Sequence, residues 1–119
     1  MTAAKQTFRD RVASASEIEL TVIGRKSGRA ISQPIWFVLE GDTLYLLPVR
    51  GSDTQWYKNI LRNPSIQIAA NGATEKAQAK PLTDATQVAA VIGKFRGKYG
   101  ADVKKYYSKF DVAVVAQLR

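Results

Sequence analysis

The feature that most constrains this chain is a two-residue period that returns along most of its length. Ile18, Leu20 and Val22 alternate with Glu17, Glu19 and Thr21. Successive side chains of a strand point to opposite faces, so this pattern specifies a half-buried strand over 17–23. The period returns at 65–70 with Ile66 and Ile68, and at 73–81 with Ala77 and Ala79 against Lys76, Gln78 and Lys80. It returns again at 111–118 with Val112, Val114, Ala116 and Leu118. Asn71-Gly72 separates two of these runs and is a strong hairpin signal, because both residues tolerate the positive φ of a tight primed turn. A polar, glycine-bounded turn at 24–28 ends the first strand.

Two further strands complete the set. Residues 30–40 read as one strand containing Pro34, which lacks an N–H for a ladder and so belongs at an edge or a bulge. Thr43 to Val49 follows the Gly41-Asp42 turn and is apolar on both faces, as in a barrel wall or a subunit interface. Helices are fewer. A weak stripe of Phe8, Val12 and Ala15 suggests a short helix over 3–15. Ser52-x-x-Gln55 has the form of a capping box opening a helix that Asn63-Pro64 ends. Asp84, with Gln87 three residues on, caps another helix whose buried stripe is Val88, Ile92, Phe95 and Tyr99. A further helical piece is expected at about 101–108. Tight turns make the sheet mainly antiparallel, and six short strands with few helices suggest a closed or nearly closed barrel.

With 119 residues the chain makes one domain, 1–119, with no repeat or linker. The longest apolar runs, 35–39 and 44–49, are strand-length, so no membrane span is expected. The N-terminus has no apolar stretch of the signal-peptide kind, and the cytoplasm is the default compartment. The chemistry is narrowed by absences. The chain has no His and no Cys. That removes Ser-His-Asp and Cys-His catalysis and nearly all catalytic zinc sites, and no metal ligand set is expected. Reactivity must then come from carboxylates, Lys, Tyr, Ser or a borrowed cofactor. Eighteen Lys and Arg against ten Asp and Glu give a net charge of +8, which suits an anionic partner.

Four segments are candidates for a site. Gly24-Arg25-Lys26-Ser27-Gly28-Arg29 crowds three cations and a hydroxyl onto a glycine turn, a chemistry suited to phosphate. It is not a Walker loop, and a solvated basic hairpin would look the same. Arg50, Gly51 and Ser52 stand at the expected start of a helix, where free N–H groups favour anions, although plain capping by Ser52 explains them as well. Trp56 and Tyr57 can wall a flat ring or anchor the core. Lys94, Arg96, Lys98, Lys104, Lys105 and Lys109 interleave with aromatics, as in single-strand nucleic-acid binders or on the charged face of an amphipathic helix.

These segments together resemble the deazaflavin (coenzyme F-420)-dependent nitroreductase family, within the split β-barrel flavin-binding proteins that include pyridoxamine phosphate oxidases. The residues that carry the resemblance are Gly24 to Gly28, Pro34 with Trp36-Phe37-Val38, Gly51, Trp56, Asn59, Leu61 and Asn63-Pro64. The resemblance implies a split β-barrel, α+β or mainly β, of about six mostly antiparallel strands with two to four flanking helices. It implies that Arg25, Lys26, Ser27, Gly28 and Arg29 hold the phosphate and acidic tail of F-420. Pro34 would lie near the ring, Arg50, Gly51 and Ser52 would donate to the ring or phosphate, and Trp56 and Asn59 would shape the pocket. No protein side chain is then catalytic, and hydride passes from reduced F-420 to a quinone, nitro compound or other small-molecule acceptor. Two departures touch the anion-binding groups: Ile31 stands where many members have a second basic residue, and Gly51-Ser52 where many have paired glycines. FMN is therefore the alternative cofactor. The chain also lacks a long N-terminal extension that covers the acceptor site in some relatives. The other readings are a cofactor binder without turnover and, last, a basic nucleic-acid-binding barrel. The apolar third strand suits a homodimer.

Overall fold

The computed structural model describes residues 8–13 and 15–118. The elements are α1 (Phe8–Ala13), β1 (Ile18–Ile23), β2 (Ala30–Ile35), β3 (Phe37–Glu40), β4 (Thr43–Leu46), α2 (Gln55–Arg62), β5 (Ser65–Ala70), β6 (Ala73–Leu82), α3 (Ala85–Tyr99), α4 (Asp102–Tyr106) and β7 (Ala113–Gln117). A 3-10 turn, Gly51–Asp53, precedes α2. The first five residues expected in the N-terminal helix lie outside the described residues.

All ladder pairings are antiparallel, in the order β2-β1-β5-β6-β7-β4-β3. The order explains the barrel. Its two outermost strands, β2 and β3, are consecutive in the chain and are separated only by Trp36. The single strand expected over 30–40 is thus two segments, and the chain between them links the two edges of the curled sheet. At that break, α3 supplies side-chain partners. The Tyr99 hydroxyl oxygen accepts from the Phe37 N–H at 3.1 Å, and the Lys98 ammonium donates to the Phe37 carbonyl at 3.0 Å. Pro34 lies on β2, opposite Glu19, at the edge where a missing N–H costs least.

The ten-residue β6 makes the other bend. Ala73 to Gln78 pair with β5, and Ala79 to Leu82 pair with β7. The hairpin between β5 and β6 has φ of 49° at Asn71 and 80° at Gly72, both in the left-handed region that this dipeptide was expected to supply.

Two apolar clusters hold the fold. Inside the barrel, Ile18, Leu20 and Val22 of β1 meet Ile66 and Ile68 of β5 and Val114 and Ala116 of β7. Trp56, Tyr57 and Ile60 of α2 close one end of that cluster. Outside, Val88, Val91 and Phe95 of α3 pack with Val38, Leu47, Val103, Tyr107 and Ala113. This second layer accounts for the apolar pattern at 43–49: Leu44 and Leu46 face the barrel, while Tyr45 and Leu47 face the α3 layer. The two-faced strand is thus satisfied within one chain. α3 starts as its sequence indicates, with the Asp84 carboxylate accepting from the Gln87 N–H at 3.1 Å. Among the described residues, no helix is long and apolar enough to cross a membrane.

Candidate functional site

The basic turn and α2 are built as one unit. Asn59, only 5 % exposed, accepts at its Oδ1 from the Arg25 N–H at 3.1 Å and from the Arg25 guanidinium at 2.8 Å. A second arm of that guanidinium donates to Gln55 Oε1 at 2.8 Å. Gln55 and Asn59 are four residues apart and share one face of α2, which is why one guanidinium reaches both. Inside the turn, the Gly24 N–H donates to the Arg29 carbonyl and the Gly28 N–H to the Gly24 carbonyl. Gly28 has φ of 73°. Arg25 therefore positions the turn. Lys26 and Arg29 are exposed and make no ion pair among the described residues.

The same helix, α2, reaches a cavity of about 260 Å³ through Trp56. Pro34, Ile35 and Trp36 form its wall from the broken strand, and Leu47 and Val49 the wall beyond β4. Trp56 enters from α2, Tyr106 and Tyr107 from the end of α4, and Glu17 from the start of β1. Trp36 is fixed by stacking on Tyr99, with centroids 4.2 Å apart and planes within 6°, and meets Tyr106 edge-on at 5.7 Å. Burial raises the Tyr99 hydroxyl above its ordinary value and pushes that of Tyr107 well above it, so both rings stay neutral. The Tyr99 hydroxyl also lies 2.9 Å from the carbonyls of Ser16 and Phe37, the two acceptors for its single proton.

The structure thus brings Pro34 and Trp56 to one cavity and joins Arg25 to Asn59 on the helix that carries Trp56. The turn of Arg50, Gly51 and Ser52 is placed differently from the sequence expectation. Ser52 does not cap α2, whose N-cap is Thr54. Instead the Ser52 N–H donates to Asp111 Oδ1 at 2.9 Å, and its hydroxyl donates to Asp111 Oδ2 at 2.5 Å. The Gly51 N–H is held by the Pro48 carbonyl, and the Arg50 N–H by Thr54 Oγ1. These donors are already engaged, which leaves the exposed Arg50 side chain as that turn's cation for a ligand. Lys109 completes the latch, 3.1 Å from Asp53 and 3.7 Å from Asp111.

Asp111 titrates below its ordinary 3.8: partial burial pushes it up, but hydrogen bonds from Ser52 and the Lys109 charge outweigh that. A carboxylate with a depressed folded value stabilises the fold above its unfolded value, and that stability is lost as pH falls through the folded value. Asp111→Asn is therefore expected to flatten the acid limb of the stability profile. Urea midpoints taken from about pH 5 down to about pH 2.5 should fall more steeply for the parent than for the variant. Parallel slopes would remove Asp111 as the source.

The basic stretch at 94–109 is largely occupied within the chain. Lys94 pairs with Glu40 at 2.7 Å, Lys98 sits on the Phe37 carbonyl and ring, and Lys109 belongs to the Asp53 and Asp111 latch. Arg96, Lys104 and Lys105 are exposed, with the Lys105 ammonium 5.4 Å from the Tyr106 ring. Of the cavity residues, sequence reasoning named Pro34 and Trp56 and missed the rest, among them Glu17, Trp36, Tyr106 and Tyr107. The tyrosines stood in plain view inside a stretch that its charges made look like a helix face; Glu17 gave no signal at all.

Comparison with solved structures shows the fold class directly. An F-420-H2-dependent reductase is 17% identical over 86% of this chain and 94% of its own, with a TM-score of 0.68. An F-420 reductase is 16% identical over 95% and 94%, with a TM-score of 0.67. HutZ, a haem storage protein from Vibrio cholerae, is 15% identical over 93% and 87%, with a TM-score of 0.70. Comparison with curated proteins gives no match. The profile of a family described as "Uncharacterized protein conserved in bacteria (DUF2255)" matches residues 9–117.

Proposed function

The chain belongs to that bacterial family, DUF2255, and from this premise we propose that it is a split-barrel protein that binds a flavin-type redox cofactor. The reading favours deazaflavin F-420, with FMN as the alternative, and transfer of hydride to a small acceptor such as a quinone or nitro compound. One observation carries it. A glycine turn bearing Lys26 and Arg29 is pinned through Arg25 and Asn59 to the helix whose Trp56 lines an aromatic cavity. An anionic tail beside a flat apolar wall is what such a cofactor presents.

The donor set fits that group. Lys26 and Arg29, with Ser27 and Gly28, would hold its phosphate and acidic tail, and Arg50 would add charge from the neighbouring turn. Pro34, Trp36 and Trp56 would contact an edge of the ring. When bound, the cofactor supplies the hydride chemistry. The chain supplies position and walls that exclude water, which requires neither His nor Cys. A haem occupant, suggested by the haem storage protein of like fold, is less suited: His and Cys, two of the usual axial ligands, are missing, and tyrosine would have to serve.

The test is a fluorescence titration with F-420 and, separately, with FMN. Micromolar or tighter binding of one supports the reading and names the cofactor. Binding of neither at low salt overturns it, and steeply salt-dependent binding of nucleic acid would then replace it. Lys26→Ala is expected to weaken cofactor binding by about 1.5–3 kcal/mol, the usual worth of a hydrogen bond to a charged group. An unchanged dissociation constant would remove Lys26 from the site.

A further inference from the structure

The cavity carries a second message in its charge. Four of its walls are aromatic: Trp36, Trp56, Tyr106 and Tyr107. Among the described residues, the only charged one lining it is an acid, Glu17. In a chain with eighteen Lys and Arg against ten Asp and Glu, a cavity whose described lining holds one carboxylate and no cation runs against the overall balance. The nearby ammonium groups lie outside it: Lys98 rests on the Phe37 ring at 3.5 Å, and Lys105 is 5.4 Å from the Tyr106 ring. Neither lines the cavity.

We propose that this cavity is an aromatic cage for a small organic cation of the quaternary-ammonium type. The faces of Trp and Tyr carry negative potential and attract a cation that has few water molecules to lose. Tyr107 and Trp56 are buried at the back, Tyr106 is 54% exposed at the mouth, and Glu17 is exposed at the rim. Trp36 is held in place by its stack on Tyr99, so the cage is largely preformed. Volume favours the same class. At about 260 Å³ the cavity falls just below the usual range for drug-sized ligands, and suits a compact headgroup.

The cavity is the one whose Pro34, Trp36 and Trp56 would meet the edge of the proposed cofactor's ring, so cation and ring are alternative occupants of it, while the basic turn lies apart. The basic turn and Glu17 lie at opposite ends of β1, roughly 20 Å apart at strand rise.

The two tryptophans of the chain both line the cavity, so tryptophan emission, excited selectively over that of the five tyrosines, reports on it. Choline and its neutral isostere 3,3-dimethyl-1-butanol are the probes, titrated without any cofactor. Saturable change with choline is expected, with the neutral isostere about tenfold weaker or worse, the scale of a desolvated cation–π contact. Glu17→Gln should weaken choline about tenfold and leave the isostere unchanged. Tyr106→Leu, at an exposed position, should weaken choline in the same direction while far-UV circular dichroism stays native. Equal affinity for the two probes, no saturation with choline, or an unchanged choline constant in Glu17→Gln would overturn the proposal. Because F-420 is absent throughout, failure here leaves the cofactor titration to be judged alone.

Discussion

Phe95→Ala is expected to cost about 3–5 kcal/mol, the usual loss when a buried aromatic is truncated. Phe95 is completely buried on α3 and packs against Tyr99 and Tyr107, with ring centroids 5.9 and 6.1 Å away. It anchors the outer layer that covers Val38, Leu47 and Ala113. Its loss would leave a cavity beneath the helix that holds Trp36 through Tyr99. For a domain of this size, a cost near 3 kcal/mol lowers the melting temperature by roughly 10 °C or more. Thermal unfolding followed by circular dichroism checks this. A shift of only a degree or two would show that α3 can collapse onto the sheet without that ring.

The second large effect is expected at Gly51. Its φ is +52°, and an added Cβ would fall inside the contact distance of Asp111 Oδ1. Gly51→Ala thus combines a left-handed alanine, worth about 1 kcal/mol, with displacement of the carboxylate that holds Ser52. A displaced charged hydrogen bond adds about 1.5–3 kcal/mol, so the total is roughly 3 kcal/mol. The cause is separable by a double-mutant cycle. If Asp111 is the obstacle, Gly51→Ala combined with Asp111→Ala should cost less than the sum of the single changes. Strict additivity of urea-derived stabilities would place the whole cost in the backbone.

Elements set by neighbours in sequence were legible. The alternations at 18–22 and 66–68, the Asn71-Gly72 turn and the Asp84 cap all rest on contacts a few residues long, and each is found as its residues dictate. The features that could not be read depend on distant partners. Ser52 has a capping spacing, yet it answers to Asp111, fifty-nine residues away. The strand over 30–40 breaks at Trp36 because Lys98 and Tyr99, about sixty residues on, take the Phe37 backbone groups. The candidate site divides the same way. A cation cluster on a glycine turn announces itself locally. The aromatic cavity is assembled from four separated segments, and Glu17 joins it only because β1 starts there.

The last strand of the chain is also an interior one. β7 lies between β6 and β4, pairing with both. During synthesis, the two flanking strands must therefore wait with their backbone edges unpaired until residues 113–117 leave the ribosome. A nascent chain stopped before that point carries two open edges, the kind of surface that recruits another copy. For this barrel, closure waits on β7, and a chain cut short before that strand is what a cell's folding helpers would have to answer.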